Sequence, residues 1–583
     1  MNKNSLLLIT TALEKTWKSE QPVIFLGEWC RLYNRKHIWN KMNYKTIPWH
    51  WSDRAKLAKD CDYLDNLYET LLIKLTFKLN EVHKVNYDVR YWRIIIGTWL
   101  LTYIPVLWDR WESIRILGSL KNDMKTVVPN RTFNNFVPDN YNQSITIMTE
   151  DDKWNYFIYS KILKFQNHKN IKLIKCHIPF IDSFKSAQNF SDSFVYNLAI
   201  RVDKIIGKIL RKTNSNFVLY KSYFPYKFLL KVFFKFRQFP RLYSEFEKQI
   251  IFDKNSNFIR PQFKEEHSKS NFENFLYSQI FNDMPKAYLE GYKKISKYCE
   301  SLTSAKIIFT ANAHFANEVF KNWAAKQVNA GAKLIISSHG GALSEEKSLL
   351  LYHEEKICDI KTVYYRESNP KYVKLTPNKL VRKINVKRDS EQITLVGLEL
   401  PRYSYRAQTG PNSSLIIEEF NQKVSFINSL NKKNRDFLKI RPYSNRGWFT
   451  KERYSDLYGE KIISKNKSLF QDFSMSKLIV CSYPQTTFLE AMHSGIPTVL
   501  LYKKEYWELN KIFNELVAEL EKVNIIFSDS KKAAKFVNNI SGNPKIWWNT
   551  PEIIKAKKMF FHFCGSATDD PFSEWSNFFE TIK

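Results

Sequence analysis

Short apolar runs that end in hydroxyl, glycine or proline residues, each followed by a helix-period pattern, recur along this chain and restrict its fold more than any other feature. Ala305–Phe309 ends in Thr310-Ala311-Asn312-Ala313-His314 and leads into a helical pattern over Phe315–Val328, and Lys333–Ser337 ends in Ser338-His339-Gly340-Gly341. A second series runs through Gln392–Val396, the helical pattern Ser413–Leu430, then Phe437–Ile440, Lys477–Cys481 and Thr498–Leu501. Such alternation predicts parallel sheets covered by helices on both faces. Near the N-terminus Ser5–Ile9 stops at Thr10-Thr11, and Val23–Leu26 stops at Gly27-Glu28. A single core stops growing near ~250–300 residues, and this chain has 583. The expected fold is therefore α/β, with two Rossmann-like domains facing a cleft.

The domain expectation follows from where the pattern changes. Residues 1–385 are expected to form one Rossmann-like domain with a basic helical insertion at about 189–297, and 386–545 a second. The aromatic-rich segment 546–583 is expected to be helical and to cross back to the N-terminal domain. Helical patterns cover Ala55–Lys84 and Val89–Leu117, Ser144–Met148 reads as a strand, and Asp151-Asp152 opens a helix. The mainly apolar stretch Ile94–Trp108 falls short of the ~20 residues a membrane span needs, so it is expected to be a buried core helix.

Charge narrows the partners without choosing among them. The formal net charge is +32, which suits donor phosphates, anionic lipid headgroups or nucleic acid, and equally suits a merely solvated basic surface. No base-reading motif is recognisable, which argues against nucleic acid. The segment 222–243 has no acidic residue and mixes aromatics with Lys227, Lys231, Lys235, Arg237 and Arg241. It reads either as a peripheral membrane contact or as a core helix with a basic outer face. Seven scattered cysteines without a CxxC pair suit a reducing cytoplasm and indicate neither disulfides nor zinc. No metal and no cofactor are expected.

Ligands of doubly wound sheets bind beyond the carboxyl ends of the strands, where the next helix offers free N–H groups to phosphate. Ser482, Thr486 and Thr487 are so placed for a diphosphate, and Glu490 one turn on for ribose hydroxyls; the plainer reading is an N-cap and a helix-start charge. Arg441, after Lys439-Ile440, can grip phosphate oxygens in bidentate fashion, or can be an ordinary loop arginine. Gly340 and Gly341 allow close backbone approach to the donor, and His339 beside them is a candidate general base. Thr10, Thr11 and Arg31 mark the acceptor side, with Glu28 the other candidate base.

Several stretches together resemble a known family: LLLITTALEKTW, FLGEWCRLY, DDKWN, IFTANAHFANEVFKNWAA, SSHGGALS, LKIRPYSNRGW and SYPQTTFLEAMHSGIPTVLLY. In this order they are similar to the transferases of O-antigen and other surface-polysaccharide clusters, related to GT-B glycosyltransferases. The resemblance implies transfer of a sugar from a nucleotide-sugar donor, bound in the C-terminal half, to a growing bacterial surface glycan that is free or lipid-linked. It implies an acceptor bound in residues 1–385 and a donor bound in 386–545; a cytoplasmic protein is expected, either free or peripheral at the inner face of the cytoplasmic membrane through 222–243. The family pattern has Gln before His-Gly-Gly and Gly-Tyr after it, whereas Ser338 and Ala342-Leu343 stand here, which leaves the role of His339 open. Transfer of a polyol phosphate from a nucleotide donor on the same scaffold is one alternative, and a basic nucleic-acid-binding protein is the other.

Overall fold

The computed structural model describes residues 5–17, 22–130, 137–177, 194–209, 214–252, 258–263, 270–341, 343, 349–365, 369–380 and 390–583. Among the described residues fifteen strands form three five-stranded sheets in which each pairing is parallel. The first sheet contains β1 (Leu6–Ile9), β2 (Val23–Phe25), β3 (Tyr44–Thr46), β4 (Met124–Pro129) and β5 (Ile171–Cys176), in the order β3-β2-β1-β4-β5. The second contains β6 (Asn214–Leu219), β7 (Ser304–Thr310), β8 (Lys333–Ser337), β9 (Ile360–Val363) and β10 (Tyr372–Lys374), in consecutive order. The third contains β11 (Gln392–Val396), β12 (Leu438–Arg441), β13 (Ser476–Cys481), β14 (Thr498–Leu501) and β15 (Ile526–Phe527), in the order β12-β11-β13-β14-β15.

The α/β class expected from the pattern is the class observed. The stretch read as one N-terminal half holds two sheets, because β4 and β5 complete a doubly wound unit before β6 starts another. β6 falls inside the expected helical insertion, which is otherwise represented by helices such as Phe194–Ile209, Tyr226–Lys235 and Asn271–Asp283. The expected boundary near 385 lies outside the described residues.

Ser144–Met148, expected as a strand, belongs to the helix Tyr141–Glu150. Asn140 caps it by accepting from the Gln143 N–H at 3.0 Å. Its buried residues Tyr141, Ser144, Ile147 and Met148 recur at spacings of three and four, which puts them on one helical face, and Thr149 is buried beside them. The Ile-Thr-Ile run looked extended only because β-branching was weighed above period. Asp151, by contrast, caps the helix Asp152–Gln166 as expected, accepting from the Trp154 N–H at 2.8 Å.

The helix Val89–Arg115 is the spine of the molecule. It is buried from Tyr91 to Ile114 except at Trp108. It packs on Asp152–Gln166 from the first sheet and on Glu318–Asn329 and Leu349–Ile357 from the second. Its charges are matched internally: Arg93 holds Glu69 at 2.5 Å, and Arg110 holds Asp109 at 2.6 Å. Asp109 also accepts from the indole of Trp49 at 2.7 Å. Buried charge is tolerated only when so paired. No helix among the described residues is long and apolar enough to cross a membrane.

The C-terminal segment touches the units of the third and the second sheets. The helix Pro551–Phe563 packs on Asn514–Lys522 beside the third sheet. The helix Pro571–Ile582 lies on the second sheet, where Trp575 meets Phe224 at 4.8 Å and Phe309 at 5.7 Å between ring centroids. The Trp575 indole donates to the Thr376 carbonyl at 3.0 Å.

Candidate functional site

Parallel strands of a sheet all end on one rim, and the rims of the first and second sheets both meet the third-sheet unit. At the first rim, Thr10 and Thr11 follow β1 but are buried, at 5% and 0% exposure. Their carbonyls accept the indoles of Trp29 and Trp17 at 3.0 and 3.2 Å. Arg31 is paired with Glu28, donates to the Tyr44 hydroxyl at 2.7 Å and lies over the Trp39 and Tyr44 rings. Glu28 is thus a counter-ion at the rim of the first sheet, whereas His339 follows β8 of the second. The structure does not bring these two candidate bases together.

Asp152 ties this rim to the chain beyond β11. Arg402 grips it with two bonds at 3.0 and 2.7 Å, the Tyr403 hydroxyl donates at 2.5 Å, and the Ala12 N–H donates at 3.1 Å. Burial alone would lower the Arg402 pKa, yet Asp152 raises it, so the guanidinium stays charged. Nearby, Arg446 reaches Glu150 at 3.0 Å and Lys36 reaches Asp456 at 2.5 Å. Asp151-Asp152, which the sequence marks only as a helix start, therefore contributes the anchor between two units.

The second rim meets the third sheet where Gly340 and Gly341 approach the helix Thr486–Ser494. The Gly341 N–H donates to Thr486 Oγ1 at 2.7 Å, and the Leu343 N–H donates to the Pro484 carbonyl at 3.1 Å. Gly341 has φ +100°, a backbone conformation that an L side chain strains to adopt. At Gly340 a Cβ would collide with Thr486 Oγ1 and stand 3.4 Å from Thr486 Cβ. Two glycines are what lets the loop close on the helix. The structure thus joins His339, Gly340 and Gly341 to Thr486.

The start of the helix Thr486–Ser494 carries no side-chain cap. Its N-cap is Gln485, whose side chain makes no cap bond, so neither Thr486 nor Thr487 serves as the N-cap. Thr486 faces the glycine loop, and Thr487 Oγ1 bonds the Tyr483 hydroxyl at 2.6 Å. Ser482 follows β13, buried, and its Oγ has no hydrogen-bond partner among the described residues. The crevice beside β13 is also where the order of the third sheet reverses, between β11 and β13. Glu490, buried one turn along, lines a cavity rather than standing at the helix start. Arg441 is committed elsewhere: it donates to the Asn466 carbonyl at 2.5 Å and pairs with the buried Asp472 at 3.2 Å.

Behind His339 lies a buried charge cluster that the sequence reading did not assemble. Glu354 receives Lys361 Nζ at 2.9 Å and His314 Nε2 at 3.2 Å, and all three side chains are fully buried. Burial opposes ionisation of Glu354, but Lys361 and His314 outweigh it and hold the carboxyl well below the usual carboxylate range. His339 is shifted downward, first by desolvation and against the pull of Glu354, so its imidazole is neutral at pH 7 and can take a proton. Phe315 stands edge-on to His339 at 5.4 Å. The available signal was the strand-end position of His314 after β7, matched to that of His339 after β8.

A cavity of about 530 Å³ opens along this rim, lined by Lys221, Ser222, Tyr223, Lys379 and, from the third-sheet unit, Phe470 and Glu490. The loop after β6 is tight, with Lys221 at φ +47° and Tyr223 at +63°. Asn378 Nδ2 holds the Ser222 carbonyl at 2.6 Å, Asn312 Nδ2 holds the Tyr223 hydroxyl at 2.7 Å, and Lys379 lies over the Tyr223 ring. Strain over-determined by such bonds is characteristic of functional loops. Among the described residues no group of three His, Cys, Asp or Glu is arranged to hold a metal.

A family model described as LIC12162 family transferase matches residues 6–579. Comparison with curated proteins gives no match. Among solved structures, MurG of Acinetobacter baumannii is similar at 12% identity and a TM-score of 0.30, over 50% of this chain and 80% of that one. UGT73P12 of Glycyrrhiza uralensis, complexed with glycyrrhetinic acid 3-O-monoglucuronide, is similar at 9% identity and a TM-score of 0.22, over 82% of this chain and 93% of that one. At these values neither likeness bears on fold or function.

Proposed function

The chain belongs to the LIC12162 family of transferases, and from that premise we propose that it moves a sugar from a nucleotide-sugar donor to a growing bacterial surface polysaccharide or O-antigen. The donor diphosphate sits at the start of the helix Thr486–Ser494, with Ser482, Thr486 and the Gly340-Gly341 backbone around it. The observation that carries this reading is the Gly341 to Thr486 bond. It sets a neutral imidazole beside an uncapped helix N-terminus, and such a terminus favours phosphate through its free N–H groups and its dipole.

His339 takes the proton from the attacking acceptor hydroxyl, and Glu354 with His314 positions it from behind. The nucleoside diphosphate leaves with the electron pair of the broken anomeric C–O bond, stabilised by the helix start. Arg441, held by Asp472, shapes the neighbouring turn instead of gripping the donor. The acceptor is lipid-linked and reached at the inner face of the cytoplasmic membrane, with segment 222–243 toward the lipid.

The test is a panel of nucleotide-sugars and nucleotide-polyols assayed for donor cleavage, with His339→Ala alongside wild type. One nucleotide-sugar is turned over, and His339→Ala lowers kcat by about 100-fold or more, as loss of a general base does, with donor affinity unchanged. Turnover of polyol donors only, or full activity in His339→Ala, contradicts the reading.

A further inference from the structure

The helix Phe194–Ile209 is built the wrong way round for a helix facing water. Of its described side chains only Asp203 is buried, and Leu198, Val202, Ile205 and Ile209 are exposed, Ile205 at 60% and Ile209 at 74%. Their spacing of four, three and four puts them on one face. Asp203 is the stake that holds the helix down: it accepts from Arg241 Nε at 2.8 Å, the Leu242 and Ser244 N–H groups at 2.8 Å each, and Ser244 Oγ at 2.7 Å.

The helix Tyr226–Lys235 repeats the device. Phe228, Val232 and Phe233 face the core, while Tyr226, Leu230 and Phe234 form an exposed ridge, followed by exposed Phe239. Lys227, Lys231 and Lys235 run alongside that ridge one residue on, with Arg237 beyond; on the first helix Arg201 and Lys204 stand one residue before Val202 and Ile205. Ile200 from one helix and Tyr226 and Leu229 from the other wall the 530 Å³ cavity.

We propose that these two helices together are the surface by which the protein lies on an anionic bilayer, with the cavity between them as the route for a lipid-linked acceptor. Exposed apolar ridges bordered by cations match the acyl boundary and the headgroup phosphates of such a surface at the same time. A protein partner would need matching acidic groups, whereas the lipid supplies both chemistries in one plane. The bilayer contact stands on this surface alone, and only the acceptor route rests on the transferase reading above.

Flotation of the full-length protein with phosphatidylcholine vesicles, with and without phosphatidylglycerol, tests the contact in the absence of donor and acceptor. Wild type binds the anionic vesicles at least tenfold more tightly than the neutral ones, and 0.5 M salt, in which the Debye length is only about 4 Å, weakens binding. Leu198→Ser with Val202→Ser and Ile205→Ser lowers binding at least tenfold, and so does Leu230→Ser with Phe234→Ser. Both variants keep the wild-type melting temperature and nucleotide-induced thermal shift. Wild type that ignores anionic vesicles, or a Leu198/Val202/Ile205 variant that binds like wild type, overturns the proposal, as does a ridge that instead joins two copies of this chain in the absence of lipid. Because flotation involves no turnover, failed sugar transfer with intact vesicle binding would refute the transferase reading and leave the contact standing.

Discussion

Adding one methyl group at Gly340 tests whether the glycine loop and the third-sheet helix form one site. The new Cβ would overlap Thr486 Oγ1, the atom that accepts the Gly341 N–H. Gly340, unlike Gly341, is not among the residues of positive φ, so alanine carries no backbone strain there and the cost is contact alone. Overpacking of this kind costs about 1–3 kcal/mol. Thr486→Ala costs about 1 kcal/mol, since it leaves the Gly341 N–H without its acceptor. It also removes the atom that collides, leaving the two Cβ atoms 3.4 Å apart. The double variant should therefore cost about as much as Thr486→Ala alone, roughly 1 kcal/mol, instead of the sum of about 2–4 kcal/mol. Urea midpoints of wild type, both single variants and the double variant close the cycle. A double variant less stable than Gly340→Ala, with the two losses simply adding, would show that the loop does not rest on Thr486.

Two further outcomes follow from buried charges. Arg402→Met strips Asp152 of its cation and should destabilise by roughly 3 kcal/mol, the lower part of the range for breaking a buried pair, because Tyr403 and Ala12 still donate to the carboxylate; a melting temperature equal to wild type would mean that the pair does not hold the units together. His83 is buried, and desolvation lowers its pKa from 6.5 to about 4. The unfolded chain binds that proton near ~6.5 and the folded one does not, so stability falls as the pH drops from about 6.5 toward 4 and is about 2 kcal/mol lower at pH 5. His83→Gln, which can still donate to the Tyr288 carbonyl that His83 Nε2 meets at 2.9 Å, should flatten this dependence in melting curves, and an unchanged slope would refute the assignment.

The strands that close the site were legible in the sequence because each ends where its composition changes. β8 runs from Lys333 to Ser337 and β14 from Thr498 to Leu501, as the apolar runs indicate, and β13 differs by one residue. The short edge strands were not: Tyr44–Thr46 and Tyr372–Lys374 have three residues each and no fully buried one, so they carry no hydrophobic signature. That is also why two sheets passed for one. At the site, local reasoning could place only what lies within a few residues of a strand end, such as Ser482 and Thr486 after β13. It could not see that Asp472 takes Arg441, nor that the fold would bring Lys361 and His314 onto Glu354, which lies 40 residues along the chain from His314. Such pairings depend on which strands neighbour each other, and a single sequence does not encode that in any local pattern.

The account turns on where the donor binds, and photoaffinity labelling reads this directly. Nucleoside diphosphates carrying an azido base, one per nucleobase, would be irradiated with the protein and the labelled peptides mapped. The account predicts that one nucleotide labels peptides containing residues 482–490 or 338–343, and that excess unlabelled nucleotide protects them. Protected labelling confined to the first-sheet rim, residues 10–31, or no protected labelling with any nucleotide, would contradict it.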